Sequence, residues 1–195
     1  ILNTYNRKKV AFTKGKGSFL YGTNGKKYLD FVQGIAVNCL GHANNYLINS
    51  ISRKSKKLWH VSNAFIIPEQ ERLAKRLKQK TFADYVFFQN SGAEATEAAI
   101  KFARRYFYSK GQARKNRILC INNSFHGRTL ATIFASNSKK ATEGFGPKVD
   151  GFDHFKFGDH KSLEKSITSR TAAIMVETIM GEGGIKVIPD FCLKG

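Results

Sequence analysis

The sequence predicts an α/β fold built on a sheet covered on both faces, and three observations carry the prediction. Short continuous apolar runs at 85–88, 117–121 and 172–176 alternate with stretches of helical periodicity. Runs that are apolar at consecutive positions bury both sides of a strand, which suits a sheet sandwiched between helices. Each run is also followed at once by a polar or glycine-rich segment, and in such sheets ligands bind outside the carboxyl ends of the strands.

Taken in chain order, residues 10–31 are punctuated by Gly15, Gly17, Gly22 and Gly25. Ser18-Phe19-Leu20-Tyr21 and Lys27-Tyr28-Leu29-Asp30-Phe31 flank Thr23-Asn24-Gly25, which predicts a hairpin. Residues 34–42 read as a small-residue loop. Residues 46–59 carry Leu47, Ile48, Ile51 and Leu58 in a helical pattern. Residues 68–80 open on Pro68, which suits the first helical position, and set Leu73, Ala74 and Leu77 on one face. Residues 85–88 predict a buried strand. Residues 93–107 predict a helix with Ala95, Ala98, Ala99, Phe102, Ala103 and Tyr106 on one stripe. Residues 117–121 predict a second strand, a shorter helix begins near Gly127, residues 161–168 predict another helix, and residues 172–176 a third strand.

The 33 Lys and Arg against 14 Asp and Glu give a net charge of +19, which first suggests a polyanion partner. The basic residues run from Arg7 to Lys194, and their densest clusters fall in amphipathic helical patterns, where a solvated face is the default. No aromatic-basic recognition module accompanies them, so no specific nucleic-acid function is expected. No apolar run reaches membrane-spanning length. The cysteines Cys39, Cys120 and Cys192 are odd in number and widely spaced, with no zinc pattern, so no metal site and a reduced, cytoplasmic setting are expected. The chain begins at Ile1 without an initiator Met, which suggests a start inside a longer reading frame or a processed end.

Three segments carry chemistry. In Asn90-Ser91-Gly92-Ala93-Glu94-Ala95 a strand end turns into a helix; Ser91 and Glu94 have capping-box spacing, and Gly92 and Ala93 leave the first amides uncovered. Such a terminus is a phosphate cradle, or simply an ordinary capped helix. There is neither a GxGxxG nor a GxxxxGK motif, so dinucleotide and P-loop readings lack support. In Asn122-Asn123-Ser124-Phe125-His126-Gly127-Arg128-Thr129, Phe125 offers a ring on which a flat cofactor stacks, and Arg128 a fork for a carboxylate. The competing reading makes Phe125 core, Arg128 surface and His126 a structural hydrogen-bonder. In the Gly-rich stretch from Glu177 to Gly184, Glu177 and Glu182 either flank a site or are solvated loop acids.

These three segments, in this order and spacing, resemble the class III aminotransferases, pyridoxal-phosphate enzymes of the aspartate-aminotransferase fold. Gly34-Ile35-Ala36-Val37-Asn38-Cys39-Leu40-Gly41-His42, with Gly144-Phe145-Gly146-Pro147 and Asp150-Gly151-Phe152, narrows the resemblance to the acetylornithine aminotransferase branch. The resemblance implies an α/β/α sheet with a small N-terminal α+β segment, pyridoxal 5'-phosphate as cofactor, and a homodimer. It implies transfer of an amino group from N-acetylornithine, a small-molecule amino donor, to the 2-oxo acid 2-oxoglutarate. It implies that Ser91, Gly92 and Ala93 hold the cofactor phosphate, that Phe125 lies over the ring with His126 beside it, that Arg128 holds the substrate carboxylate, and that Glu177 and Glu182 lie on the substrate side. Sister enzymes acting on ornithine, succinylornithine or 4-aminobutyrate, and a non-catalytic basic half-fold, remain alternatives.

This chain departs from the family pattern at Thr178 and Met180, where Pro and Gln are common, and near Asn44-Asn45 and Gly22. Transamination with this cofactor also needs a Schiff-base lysine and an acid against the pyridine nitrogen. In the family both lie downstream of the Gly-rich loop, and neither is found before Gly195. The expectation is therefore an N-terminal part of the enzyme, inactive alone, with residues 1–63 belonging to a small domain and active-site loop and 64–195 to an incomplete cofactor-binding domain.

Overall fold

The computed structural model describes residues 1–194, and the chain falls into two compact units, Ile1–Asp84 and Tyr85–Gly195. The division expected at residue 63 lies inside the first unit.

In the first unit, β1 (Phe12–Lys16), β2 (Phe19–Gly22) and β3 (Lys27–Leu29) form an antiparallel meander. The predicted hairpin is β2–β3. Gly25 takes the positive φ of its turn, and the Asn24 side chain accepts from the Lys26 N–H and donates to the Tyr28 hydroxyl. The second strand stops short of Phe31 because Asp30 turns back to accept from the Val32 and Gln33 amides. The expected loop then contains α1 (Gln33–Ala36), a single turn in which Gln33, Gly34, Ile35 and Ala36 all have positive φ. α2 (Asn45–Ser55) is capped by Asn44, whose side chain accepts from the Tyr46 and Leu47 amides. It ends earlier than predicted, because residues 52–57 are all polar and offer nothing to bury before Leu58. α3 (Pro68–Lys80) has the predicted bounds, with Pro at its start, and an ion pair joins its Glu69 to Lys54 of α2.

The second unit opens with a correction. Residues 85–88 have no regular secondary structure, with Val86 and Phe88 half-buried, and are not a strand of the sheet. Tyr85 and Phe87 are 92% and 62% exposed, so the run is only half-buried, and a strand also needs ladder bonds, which are set by distant sequence. α4 (Gly92–Ser109) follows, then β4 (Arg117–Ile121), α5 (Leu130–Ser136), α6 (Lys139–Thr142), β5 (Phe152–Phe155), α7 (His160–Ser166) and β6 (Thr171–Met175). A small hairpin, β7 (Ile179–Met180) with β8 (Lys186–Val187), and α8 (Asp190–Lys194) complete it.

The sheet is parallel, with order β5-β4-β6. β5 escapes sequence reading because two of its four residues are polar, and both are used. Asp153 binds Arg117, and His154 Nε2 lies 3.0 and 3.1 Å from the Ala135 and Phe134 carbonyls. β4 is buried on both faces, as predicted. Ile118 and Cys120 pack with Ile100, Ile133, Phe134 and Phe152, whereas Leu119 and Ile121 pack with Phe155, Met180 and Ile188.

The expected stripe of α4 is also corrected. The helix buries Ile100, with Ala93, Glu97, Ala103 and Phe107 half-buried on the same side, while Phe102 and Tyr106 are each 56% exposed. α4 is apolar on two faces, and the sheet takes the one centred on Ile100. The outward face keeps Phe102 edge-on to Phe87, with ring centroids 5.3 Å apart.

Candidate active site

The site is assembled from the segments that follow the apolar runs, beginning at the first turn of α4. The Ser91 backbone is extended, and its hydroxyl accepts from the Glu94 amide at 3.2 Å while donating to Glu94 Oε2 at 3.0 Å. The predicted cap therefore forms, with the glutamate turned to the hydroxyl rather than to a backbone amide. The Ala95 amide donates to the Ser91 carbonyl, which leaves the Gly92 and Ala93 N–H groups with no acceptor among the described residues. A Cβ placed on Gly92 would meet nothing within 4 Å. Two orphan amides at the positive end of an 18-residue helix, with open space around the Gly92 Cα, suit a phosphate group.

The loop after β4 presses against this turn. Gly127 has φ +136°, and a Cβ there would sit 2.7 Å from Thr132 Oγ1 and 3.2 Å from the Ala93 Cβ, so a side chain is excluded on both counts. Thr129 caps α5 through the Thr132 amide, and its hydroxyl bonds to Glu97 of α4. Between these anchors Phe125 is 40% exposed, and the Arg128 guanidinium lies 5.4 Å from the centre of its ring.

Glu177 holds the loop from the other side. Its Oε1 accepts from the Phe125 amide at 2.7 Å and its Oε2 from the Gly181 amide at 3.3 Å, so both oxygens are occupied and the loops after β4 and β6 are joined. His126 is buried, its Nε2 2.8 Å from Ser124 Oγ. Burial pushes its imidazole below the usual value, and His154 adds to this while the Glu177 carboxylate opposes it.

A cavity of about 800 Å³ opens beside the loop, lined by Phe125, Arg128, Lys140, Phe145, Glu182 and Gly183 among others. Phe125, Arg128 and Glu182 are thus brought to one space. Glu177 is behind the loop, His126 is beneath it, and neither they nor Ser91, Gly92 and Ala93 line the cavity, though Ala93 lies close to Gly127, which does. Nothing in the sequence marks Lys140, which lines the cavity, among 33 basic residues. Phe145 belongs to a stretch used for the family resemblance but carried no chemical signal of its own. Met180 is buried in the core directly beneath Gly183, where a Cβ would come 2.5 Å from its Cε. The residues present fit pyridoxal 5'-phosphate: free amides for an anion, a partly bare aromatic face, and a guanidinium for a carboxylate.

Residues 3–195 match the family model of class-III aminotransferases. The chain is 54% identical over 186 residues to the acetylornithine aminotransferase of Agrobacterium fabrum, covering 95% of this chain and 47% of that protein. It is 50% identical over 194 residues to that of Brucella melitensis, covering 100% and 48%. Among solved structures, the ornithine aminotransferase of Toxoplasma gondii superposes with a TM-score of 0.93 at 29% identity, covering 100% of this chain and 47% of that one. An omega-transaminase of Thermomicrobium roseum superposes with a TM-score of 0.85 at 30% identity, covering 93% and 46%. The chain spans about half the length of the curated relatives it matches.

Proposed function

The chain belongs to the class-III aminotransferases, pyridoxal 5'-phosphate enzymes of the aspartate-aminotransferase fold, and from this premise we propose that its cavity serves amino-group transfer from N-acetylornithine to 2-oxoglutarate in arginine biosynthesis. The observation that carries the reading is the meeting of Phe125, Arg128 and Glu182 in one cavity next to the unpartnered Gly92 and Ala93 amides. When bound, the cofactor supplies an aldehyde that takes up an amino group and a ring that draws electrons from the donor carbon. The Gly92 and Ala93 amides, with Ser91 fixing the turn, would hold the phosphate. Phe125 would offer its exposed face to the ring and help exclude water. Arg128 orients the substrate by its carboxylate, a role for a planar fork rather than a point charge. Glu182 lies on the substrate side as a counter-charge, and Glu177 keeps Phe125 at its height.

Residues from 64 onward belong with the cofactor-binding domain in this reading. Among the described residues no helix is long and apolar enough to cross a membrane. A cytoplasmic setting suits the three free cysteines, and the exposed apolar side chains, Phe31, Ile35 and Trp59 among them, suit a homodimer.

The test is to express the full natural reading frame with pyridoxal 5'-phosphate and measure glutamate formed from 2-oxoglutarate with N-acetylornithine, ornithine, succinylornithine and 4-aminobutyrate. The highest kcat/KM is expected with N-acetylornithine. Equal or better use of another donor would replace the substrate assignment, and no transfer with any donor would remove the reading.

A further inference from the structure

The buried polar side chains of the described residues are concentrated in one place. Ser124, His126, Thr132 and Ser136 are all under 9% exposed, and all lie beneath the loop that carries Phe125 and Arg128. Burying polar groups is costly unless they are bonded, so a cluster of this kind is retained for what it holds in place.

The bonds form a continuous path. Ser124 Oγ donates to the Ile121 carbonyl at 2.8 Å and lies 2.8 Å from His126 Nε2. A hydroxyl has one proton, and here the carbonyl takes it, so Nε2 carries a hydrogen and donates to Ser124. The His126 amide donates to Ser136 Oγ at 3.3 Å, and Ser136 Oγ donates to the Thr132 carbonyl at 2.9 Å. The Thr132 hydroxyl, with one proton to give, lies 3.1 Å from the Thr129 carbonyl and 2.9 Å from the Thr129 hydroxyl, so it donates to one or is shared between them. The path thus runs from the end of β4 to the cap of α5 and fixes the backbone on both sides of the two side chains that face the cavity.

We propose that His126 is a positioning residue which, as the neutral Nε2–H tautomer, links Ser124 through its ring to Ser136 through its own amide and so sets the direction in which Phe125 and Arg128 leave the loop. The proposal rests on the reading of the cavity as a carboxylate site. Burial favours the neutral ring, against the Glu177 carboxylate and together with His154, the titratable groups that bear on it. A charged ring would place a second proton at Nδ1 and add a buried charge.

The test uses the whole chain and succinate as the probe of Arg128. Imidazole nitrogen shifts report the tautomer, hydrogen exchange reports the Phe125 amide, and titration reports succinate affinity. His126→Gln keeps a donor where Nε2 stood and is expected to stay within about threefold of the parent in exchange and affinity. His126→Leu keeps bulk without the donor and is expected to speed Phe125 exchange and weaken succinate about tenfold or more. Ser124→Ala, which removes the acceptor and leaves the ring, is expected to shift both readouts in the same direction, and it carries the comparison if the leucine variant does not fold. Equal behaviour of the glutamine and leucine variants, or an Nδ1–H tautomer in the parent, overturns the proposal. A parent that shows the expected tautomer and exchange pattern yet binds no succinate supports the positioning role and sinks the carboxylate reading instead.

Discussion

The two units place their apolar residues differently. In Ile1–Asp84 no residue is buried, and Phe31, Ile35, Trp59 and Phe82 are almost wholly exposed. In the second unit β4 is buried along nearly its whole length, with a separate apolar cluster on each side. Both regions have regular helices and strands, so regularity and burial are separable. The meander, the Asn44 cap and the Pro68 start are decided by turn and capping chemistry within a few residues. The cores require strands that meet across long stretches of sequence. The apolar faces of α2 and α3 are written for burial, and among the described residues nothing buries them.

The largest expected effect divides the units by stability. Leu119 is 0% exposed, and Leu119→Ala is expected to cost about 2–5 kcal/mol in urea unfolding, whereas Leu73→Ala on the exposed face of α3 is expected to cost less than about 1 kcal/mol. Equal losses would break the contrast.

A smaller effect is the pH dependence of the second unit. Burial holds both His126 and His154 below their ordinary 6.5. Above 6.5 neither form of the chain binds these protons and stability is full. As the pH falls below 6.5 the unfolded chain takes up protons that the folded unit does not, so stability is lost progressively until the depressed folded values are passed. Asp30, Glu69 and Asp150 are held below the usual carboxylate range and stay ionised through this window. The urea midpoint is expected to fall between pH 7.5 and 5.5, and a His126→Gln, His154→Gln double variant is expected to flatten that slope. An unchanged slope in the double variant would assign it elsewhere.

The smallest effect leaves stability untouched. The Cys120 thiol is pushed up to about 12, chiefly by burial and further by the Asp153 carboxylate, whereas Cys39 in the first unit is exposed. Iodoacetamide at pH 8 is expected to modify Cys39 in the folded protein and Cys120 only after unfolding, as read by mass spectrometry. Modification of both at one rate would show that the second unit opens as readily as the first.

The same division explains what could be read in advance. β4 and β6 were legible because every inward position is apolar, and α3 because Pro68 marks its start. The site loops were legible because glycine and charge follow directly on those runs. β5 was not, since Asp153 and His154 interrupt it and their partners, Arg117 and the end of α5, are distant in sequence. The strand predicted at 85–88 failed for the complementary reason: its residues are apolar but the ladder is not local information. The buried face of α4 does not follow from the sequence, because two faces are apolar and only the sheet chooses between them. His126 reads from the residues as a structural hydrogen-bonder and through the family resemblance as a cofactor residue, and only the Ser124 and Ser136 hydroxyls reveal which way it turns.

The double burial of β4 has a consequence for pairing. A slip of one residue would exchange Ile118 and Cys120 with Leu119 and Ile121, apolar for apolar, so hydrophobic energy scarcely separates the two alignments. Arg117 separates them. Its Nε bonds Asp153 at 2.6 Å, one terminal nitrogen bonds Asp150 and the other the Phe152 carbonyl, each at 3.1 Å, and a slipped strand forfeits all of these together. One guanidinium at the amino edge thus serves as the registration mark for the β4–β5 pair, and the loops at the opposite edge of that pair are aligned by a charge that never comes near them.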